Sequence, residues 1–235
     1  KQSAHQHIIK LYEVIDSPTN YYLVMECASN GDLAGYLQRK GCLVEGEYAK
    51  FLVQTTDAIA HCHSKGVIHR DIKPANVLLD KRAKAKLTDF GLAHLADQPQ
   101  APLSDGFKLG TAGYIAPEVF QGQLDHRTDI YGLGSLIYET ITKISPGEKM
   151  NRPSRLVHGL PPRLDEIVLK ARNPDPDQRH STADELRRAL VLVRKSLTST
   201  ASRSSSLPKP PLPPSESSKT TKLPPPPNMR LRVPA

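Results

Sequence analysis

The chain has no apolar run approaching the roughly eighteen residues a membrane helix needs. Its first residue, Lys1, opens no secretory signal pattern. These absences exclude a spanning helix within the sequence and set the expectation of a cytoplasmic protein. Cysteine is scarce: Cys27, Cys42 and Cys62 are odd in number and follow no pairing pattern, which argues against a disulfide frame and for reduced thiols. His61-Cys62-His63 has no second ligand pair beside it and lies inside a helical pattern, so these three read as helix residues rather than metal ligands. No internal repeat is present. Acidic residues are few at the C-terminal end, where Arg203, Lys209, Lys219, Lys222, Arg230 and Arg232 face only Glu216, and this tail carries much of the net charge of +8. No nucleic-acid-binding motif accompanies that charge, so no nucleic-acid partner is expected. A basic tail of this kind stays solvated or meets anionic membranes and acidic proteins.

What is present is more specific. With 235 residues and 38% hydrophobic content, the chain can bury a sizeable core in one or two domains. Its most informative stretch is His69-Arg70-Asp71-Ile72-Lys73-Pro74-Ala75-Asn76, followed thirteen residues after Asn76 by Asp89-Phe90-Gly91. An acid, a lysine, an amide and a second acid at these offsets are the parts that phosphoryl transfer uses to grip ATP, Mg²⁺ and a hydroxyl together. Asp71 would accept the proton of the attacking hydroxyl, Lys73 would neutralise charge on the transferred phosphate, and Asn76 and Asp89 would hold Mg²⁺. Any one of these residues alone would read as a turn former or cap. The order and spacing of two motifs, flanked by strand-like Val77-Leu78-Leu79 and Ala85-Lys86-Leu87-Thr88, favour the catalytic reading.

Two further segments extend the pattern. Gly110-Thr111-Ala112-Gly113-Tyr114-Ile115-Ala116-Pro117-Glu118 is similar to the end of a kinase activation segment, and Asp129-Ile130-Tyr131-Gly132-Leu133-Gly134 opens an apolar helix through about Ile141. Together the motifs resemble eukaryotic-like serine/threonine protein kinases over about residues 5–193. The wording His-Arg-Asp-Ile-Lys-Pro-Ala-Asn and the short Pro-rich path from Ile144 to Pro162 look more bacterial than animal. Lys73 and Thr111 point to the serine/threonine branch, since tyrosine kinases usually carry an Ala-rich sequence at Lys73-Pro74.

The resemblance implies an α+β kinase fold. Residues 1–25 would be a remnant of the N-terminal lobe, 26–195 the hinge and helical C-terminal lobe, and 196–235 a disordered Pro/Ser-rich basic tail. It also implies Met25 as gatekeeper, backbone bonds from Glu26 and Ala28 to adenine, Asp32 near the ribose and Leu78 as the adenine floor. Asp129 would brace the catalytic loop, Arg179 would pair with Glu118, and His69, Arg70 and Phe90 would support the site. ATP and Mg²⁺ are the expected cofactors, and proteins bearing Ser or Thr the expected substrates. In the activation segment, Ser104 and Thr111 are hydroxyl candidates. Ser104 is the preferred regulatory site, and Arg70 is placed to meet a phosphate on that loop. The Pro-rich tail reads as a linker or as a docking segment for a Pro-motif reader.

The family's Gly-rich loop, third-strand lysine and following glutamate have no counterpart here, and His5-Gln6-His7-Ile8-Ile9 resembles the segment just after that glutamate. The expectation is therefore an N-terminally truncated kinase, weakly active or inactive by itself. Its first strands, about Ile8–Asp16 and Tyr21–Met25 joined at Ser17–Asn20, would leave Leu11, Met25, Leu78 and Phe90 short of apolar cover. A long helix from Gly46 to Lys65 with Gly66 as its C-cap, and a last helix about Thr182–Lys195 facing Leu186, Leu190 and Val193 inward, complete the reading. Two rival functions are a pseudokinase-like scaffold and a small-molecule phosphotransferase. Intact Asp71, Lys73, Asn76 and Asp89 weigh against the first, and Lys73-Pro74 with the Gly110–Glu118 segment against the second.

Overall fold

The computed structural model describes residues 4–40, 45–90, 94–95, 111–147 and 150–204. Strands β1 (Leu11–Asp16) and β2 (Tyr21–Met25) form an antiparallel hairpin pairing Leu11 with Met25 and Asp16 with Tyr21. The turn is closed by the Ser17 hydroxyl, which donates to the Asn20 carbonyl at 2.7 Å and accepts the Asn20 amide at 3.1 Å. β1 begins later than the expected Ile8, because the preceding segment spends its backbone elsewhere: Leu87 N–H donates to His7 O and Ile9 N–H to Leu87 O, each at 2.8 Å. Neighbouring Leu23 and Val24 point to opposite faces of the hairpin and are 57% and 41% exposed, so both faces show apolar side chains to solvent. Met25 is exposed as expected, while Leu11, Leu78 and Phe90 are half-buried.

The core is helical. Helix α1 (Leu33–Lys40) is absent from the sequence reading; it starts where Asp32 Oδ1 accepts the Gly35 amide at 2.7 Å, an N-cap. Helix α2 (Glu45–Ser64) buries Tyr48, Phe51, Leu52, Ile59 and Cys62 at helical spacing, and Gly66 follows it at φ +69°, the left-handed C-cap its sequence predicts. Helix α3 (Arg127–Thr142) is buried on nearly every side, with Ile130, Leu133, Leu136 and Ile137 fully enclosed. Short α4 (Pro153–Leu156) and α5 (Pro162–Ala171) each begin with proline, whose missing N–H costs nothing in a first turn.

Helix α6 (Ala183–Ser204) packs on α2 and buries Leu186, Leu190 and Val193. Thr182 Oγ1 accepts the Glu185 amide at 3.1 Å while the Glu185 carboxylate accepts the Ser181 amide at 2.7 Å, a variant of the reciprocal capping box. The helix continues past the expected end at Lys195 to Ser204. Residues 196–204 hold neither proline nor glycine, and an established helix adds a residue at little cost where no such breaker intervenes.

The remaining strands are short. β3 (Val67–Ile68) pairs antiparallel with β6 (His94–Leu95), and β4 (Val77–Leu79) with β5 (Ala85–Leu87). The segment from His69 to Asn76 lies between β3 and β4, anchored at both ends by these small sheets.

Candidate active site

Four side chains converge at the β3–β4 loop. Lys73 Nζ lies 2.7 Å from Asp71 Oδ2 and donates to Thr111 Oγ1 at 3.0 Å. Asn76 Nδ2 donates to both the Asp71 carbonyl, at 2.7 Å, and Asp71 Oδ2, at 2.9 Å. The Thr111 hydroxyl stands 3.5 Å from Asp71 Oδ1. Pro74–Asn76 forms a tight turn in which the Asn76 amide bonds Lys73 O, and this turn brings Asn76 back onto Asp71. Asp71 and Asn76 are buried. A carboxylate beside an ammonium, next to the segment that carries Thr111, is built to take a proton and offset phosphate charge at one place.

Asp89 is tied to the same loop through the backbone, because the Thr88 amide donates to Asn76 O at 3.0 Å. Asp89 itself takes a left-handed φ of +62°, unusual for a residue with a side chain. Since Asn76 turns its amide nitrogen to Asp71, its amide oxygen is the group left for a cation. An amide oxygen and a carboxylate are the hard donors Mg²⁺ prefers, so the residues fit that ion.

His69 is wholly buried and links the two motifs. Its Nδ1 accepts the Asp71 amide at 3.3 Å, so its Nε2 carries the hydrogen and donates to Thr88 O at 3.0 Å. Phe90 packs on the ring at a centroid distance of 4.8 Å. Asp129, in the first turn of α3, braces the loop from below: Oδ2 accepts the His69 amide and Oδ1 the Arg70 amide, both at 2.8 Å. Burial alone would raise the Asp129 carboxyl, but the His63 hydrogen bond, the neighbouring His63 and His69 rings and the donated His69 amide outweigh it and hold the group below the ordinary carboxylate range. The activation segment ends at a buried pair in which Arg179 Nη1 and Nη2 meet Glu118 Oε1 and Oε2 at 2.6 and 2.7 Å. Arg179 also donates to the carbonyls of Asn173, Arg127 and Pro174, so its donors are used rather than merely enclosed.

On the expected nucleotide side, the Glu26 amide bonds Lys10 O at 2.8 Å, which leaves its carbonyl as the backbone group for adenine. The Glu26 carboxylate pairs with Lys86 at 2.8 Å, and that bond holds it below the usual carboxylate range. Asp32 and Leu78 are brought together by a backbone bridge, but the Asp32 carboxylate already caps α1. Met25 is exposed at the end of β2, with Ala28 three residues on. Ser104, Gly91 and Gly110 lie outside the described residues.

The protein kinase domain model matches residues 1–205. The chain belongs to the protein kinase family. Its fold is accordingly the protein-kinase fold, α+β and mostly helical with small sheets. Among curated relatives it is 39% identical over 151 residues to CBL-interacting serine/threonine-protein kinase 24 of Arabidopsis thaliana, covering 63% of this chain and 33% of that one. It is 36% identical over 187 residues to CBL-interacting protein kinase 21 of Oryza sativa subsp. japonica, covering 73% of this chain and 35% of the relative. The chain spans about a third of the length of these relatives. Both are plant proteins, so the comparison points to a eukaryotic kinase and away from the bacterial cast read in the motif wording.

Two residues of this kinase domain escaped the sequence reading. His63 Nε2 lies 2.8 Å from Asp129 Oδ2, a third support for the brace. Its signal was position: it is the penultimate residue of α2, six residues before His69. Arg172 is buried one residue past α5, on the face of Leu164 and Val168. An arginine at an apolar repeat position was the available clue.

Proposed function

We propose that the chain carries the catalytic lobe of a serine/threonine protein kinase that transfers the ATP γ-phosphoryl group to Ser and Thr hydroxyls of proteins. The convergence of Asp71, Lys73, Asn76 and Thr111 within a protein kinase domain carries this reading. Asp71 orients the substrate hydroxyl and accepts its proton. The hydroxyl oxygen forms a bond to the γ-phosphorus as the bond to the β–γ bridging oxygen breaks, and ADP leaves. Lys73, held between Asp71 and Thr111, donates to the phosphoryl oxygens. Asn76 and Asp89 would hold Mg²⁺, which neutralises charge on the β and γ phosphates. Arg70, whose Nε is buried without a partner among the described residues, is the cation for a phosphate on Ser104. Burial pushes the Cys62 thiol up to about 12, keeping it inert, which suits a reduced cytoplasmic setting.

These 235 residues hold no glycine loop or third-strand lysine to grip the α and β phosphates. Transfer by them alone is therefore slow against the roughly 1–100 per second of ordinary protein kinases. The test is phosphate transfer from labelled ATP to a mixed Ser/Thr/Tyr peptide pool by the purified chain and its Asp71→Asn variant. Slow labelling confined to Ser and Thr, and lost in Asp71→Asn, supports the proposal. Equal labelling by both proteins rejects it and leaves the scaffold reading.

A further inference from the structure

Arg172 is the least expected charge in the core. It is 8% exposed, and among the described residues it has no carboxylate partner. Nη1 donates to Gly113 O and to Ser135 Oγ, and Nη2 to Gly147 O. The guanidinium also lies 4.3 Å from the centroid of the Tyr131 ring, whose negative face attracts a cation. Ser135 completes the knot, accepting from Arg172 and donating its own hydroxyl hydrogen to Gly113 O at 2.9 Å.

What this knot holds decides its meaning. Gly113 belongs to the turn Thr111–Tyr114, closed by the Tyr114 amide on Thr111 O at 3.0 Å. One end of that turn touches the catalytic pair through Thr111, and the other is bound by Arg172 and Ser135. The fit is tight: Gly113 sits at φ +84°, and a Cβ built there would lie 2.1 Å from Pro146 O. Gly113 O therefore has one place to go, and a fixed guanidinium waits there. Loss of Arg172 would leave the carbonyl of half-buried Gly113 with Ser135 as its remaining donor and hand that of exposed Gly147 to water, so the charged link between the two would be gone.

We propose that Arg172 is a positioning residue for phosphoryl transfer, holding the substrate-receiving turn Thr111–Tyr114 against Asp71 and Lys73 by clamping Gly113 to α3 and to the loop at Gly147. The inference rests on the kinase reading above, and it predicts that protein-substrate binding depends on Arg172 while ATP binding does not. A lysine supplies the charge but not the two-armed fork, so it restores the clamp only in part.

The experiment compares the full chain with its Arg172→Leu, Arg172→Lys and Ser135→Ala variants by peptide-level amide hydrogen exchange and by steady-state peptide phosphorylation. With Arg172→Leu, exchange across residues 111–117 accelerates about tenfold or more while α2 keeps its protection, the result of losing charge-assisted bonds at one locus. Arg172→Lys and Ser135→Ala fall between. The peptide KM rises by about tenfold, with the ATP KM unchanged. Uniform acceleration through α2 and α6, or unchanged exchange in 111–117, overturns the positioning role. Labelling that persists in Asp71→Asn would reject the kinase reading, and the exchange measurement would still decide whether Arg172 holds the turn.

Discussion

The Arg70 amide donates to Asp129 Oδ1 at 2.8 Å while Arg70 holds a φ of +71°, in the left-handed region that side chains avoid. The carboxylate thus stabilises a backbone conformation that the catalytic loop would leave if unsupported, and it does so with the His69 amide on its other oxygen. Asp129→Ala removes the acceptor for the buried His69 amide, the partly buried Arg70 amide and His63 together. We expect a loss of about 3 kcal/mol in urea unfolding, the cost of several unsatisfied buried donors. Asp129→Asn keeps one carbonyl oxygen and should lose about half as much. Equal stability of wild type and Asp129→Ala would show that the loop holds its shape without the brace.

The Glu118–Arg179 pair is the second structural test. The Arg179 side chain is fully enclosed and that of Glu118 nearly so, at 0% and 7% exposure. Removing one partner strands a buried charge, which costs about 3–5 kcal/mol, unlike a surface pair. Glu118→Ala should therefore destabilise by that amount. Arg179 keeps its bonds to three carbonyls in the variant, so the loss should sit toward the low end. A change below about 1 kcal/mol in denaturant unfolding would place the pair among ordinary surface bridges.

Asp71, Lys73 and Asn76 were legible because they sit within six residues of one another, so a single tight turn brings them together whatever surrounds it. Helices α2 and α6 were legible from apolar spacing and their end signals. Helix α1 was not, because its eight residues bury only Leu33 and Leu37, too few to show a period, although the Asp32 cap was in plain view. The roles of Arg172 and His63 were hidden for a different reason. Arg172 reaches Gly113 from 59 residues away, and His63 reaches Asp129 from 66, contacts that only tertiary packing creates.

Acid should weaken the fold in two stages. Burial, assisted by Lys170 and opposed by Glu185, pulls His180 down to about 4. The unfolded chain then binds this proton at higher pH than the folded one, so stability is full above about 6.5 and falls as pH drops from there toward 4. Burial lowers His5 and His7 as well, which adds to the same limb. Asp125, Asp129 and Glu185 are held below their ordinary range, so their contribution disappears only below about pH 4. Urea midpoints measured from pH 7.5 to 3.5 should decline from near 6.5, and His180→Gln should flatten the first limb. A midpoint constant from 7 to 4.5 would contradict the burial of these rings.

The β1–β2 hairpin should govern how the chain behaves at high concentration. Tyr21, Tyr22, Leu23, Val24 and Met25 are all exposed, and each strand pairs only with the other among the described residues. An apolar two-stranded ribbon with open edges is a template for pairing with further strands. Light scattering after size exclusion should therefore show association that grows with protein concentration. Leu23→Lys places a charge on one face without disturbing a buried contact, so its effect on stability should stay within about 0.5 kcal/mol. The same substitution should shift the chain toward monomer, because pairing through that face would bury the charge. If wild type and Leu23→Lys associate equally, the contact lies elsewhere on the molecule, and if wild type stays monomeric throughout, the exposed hairpin is tolerated in solution.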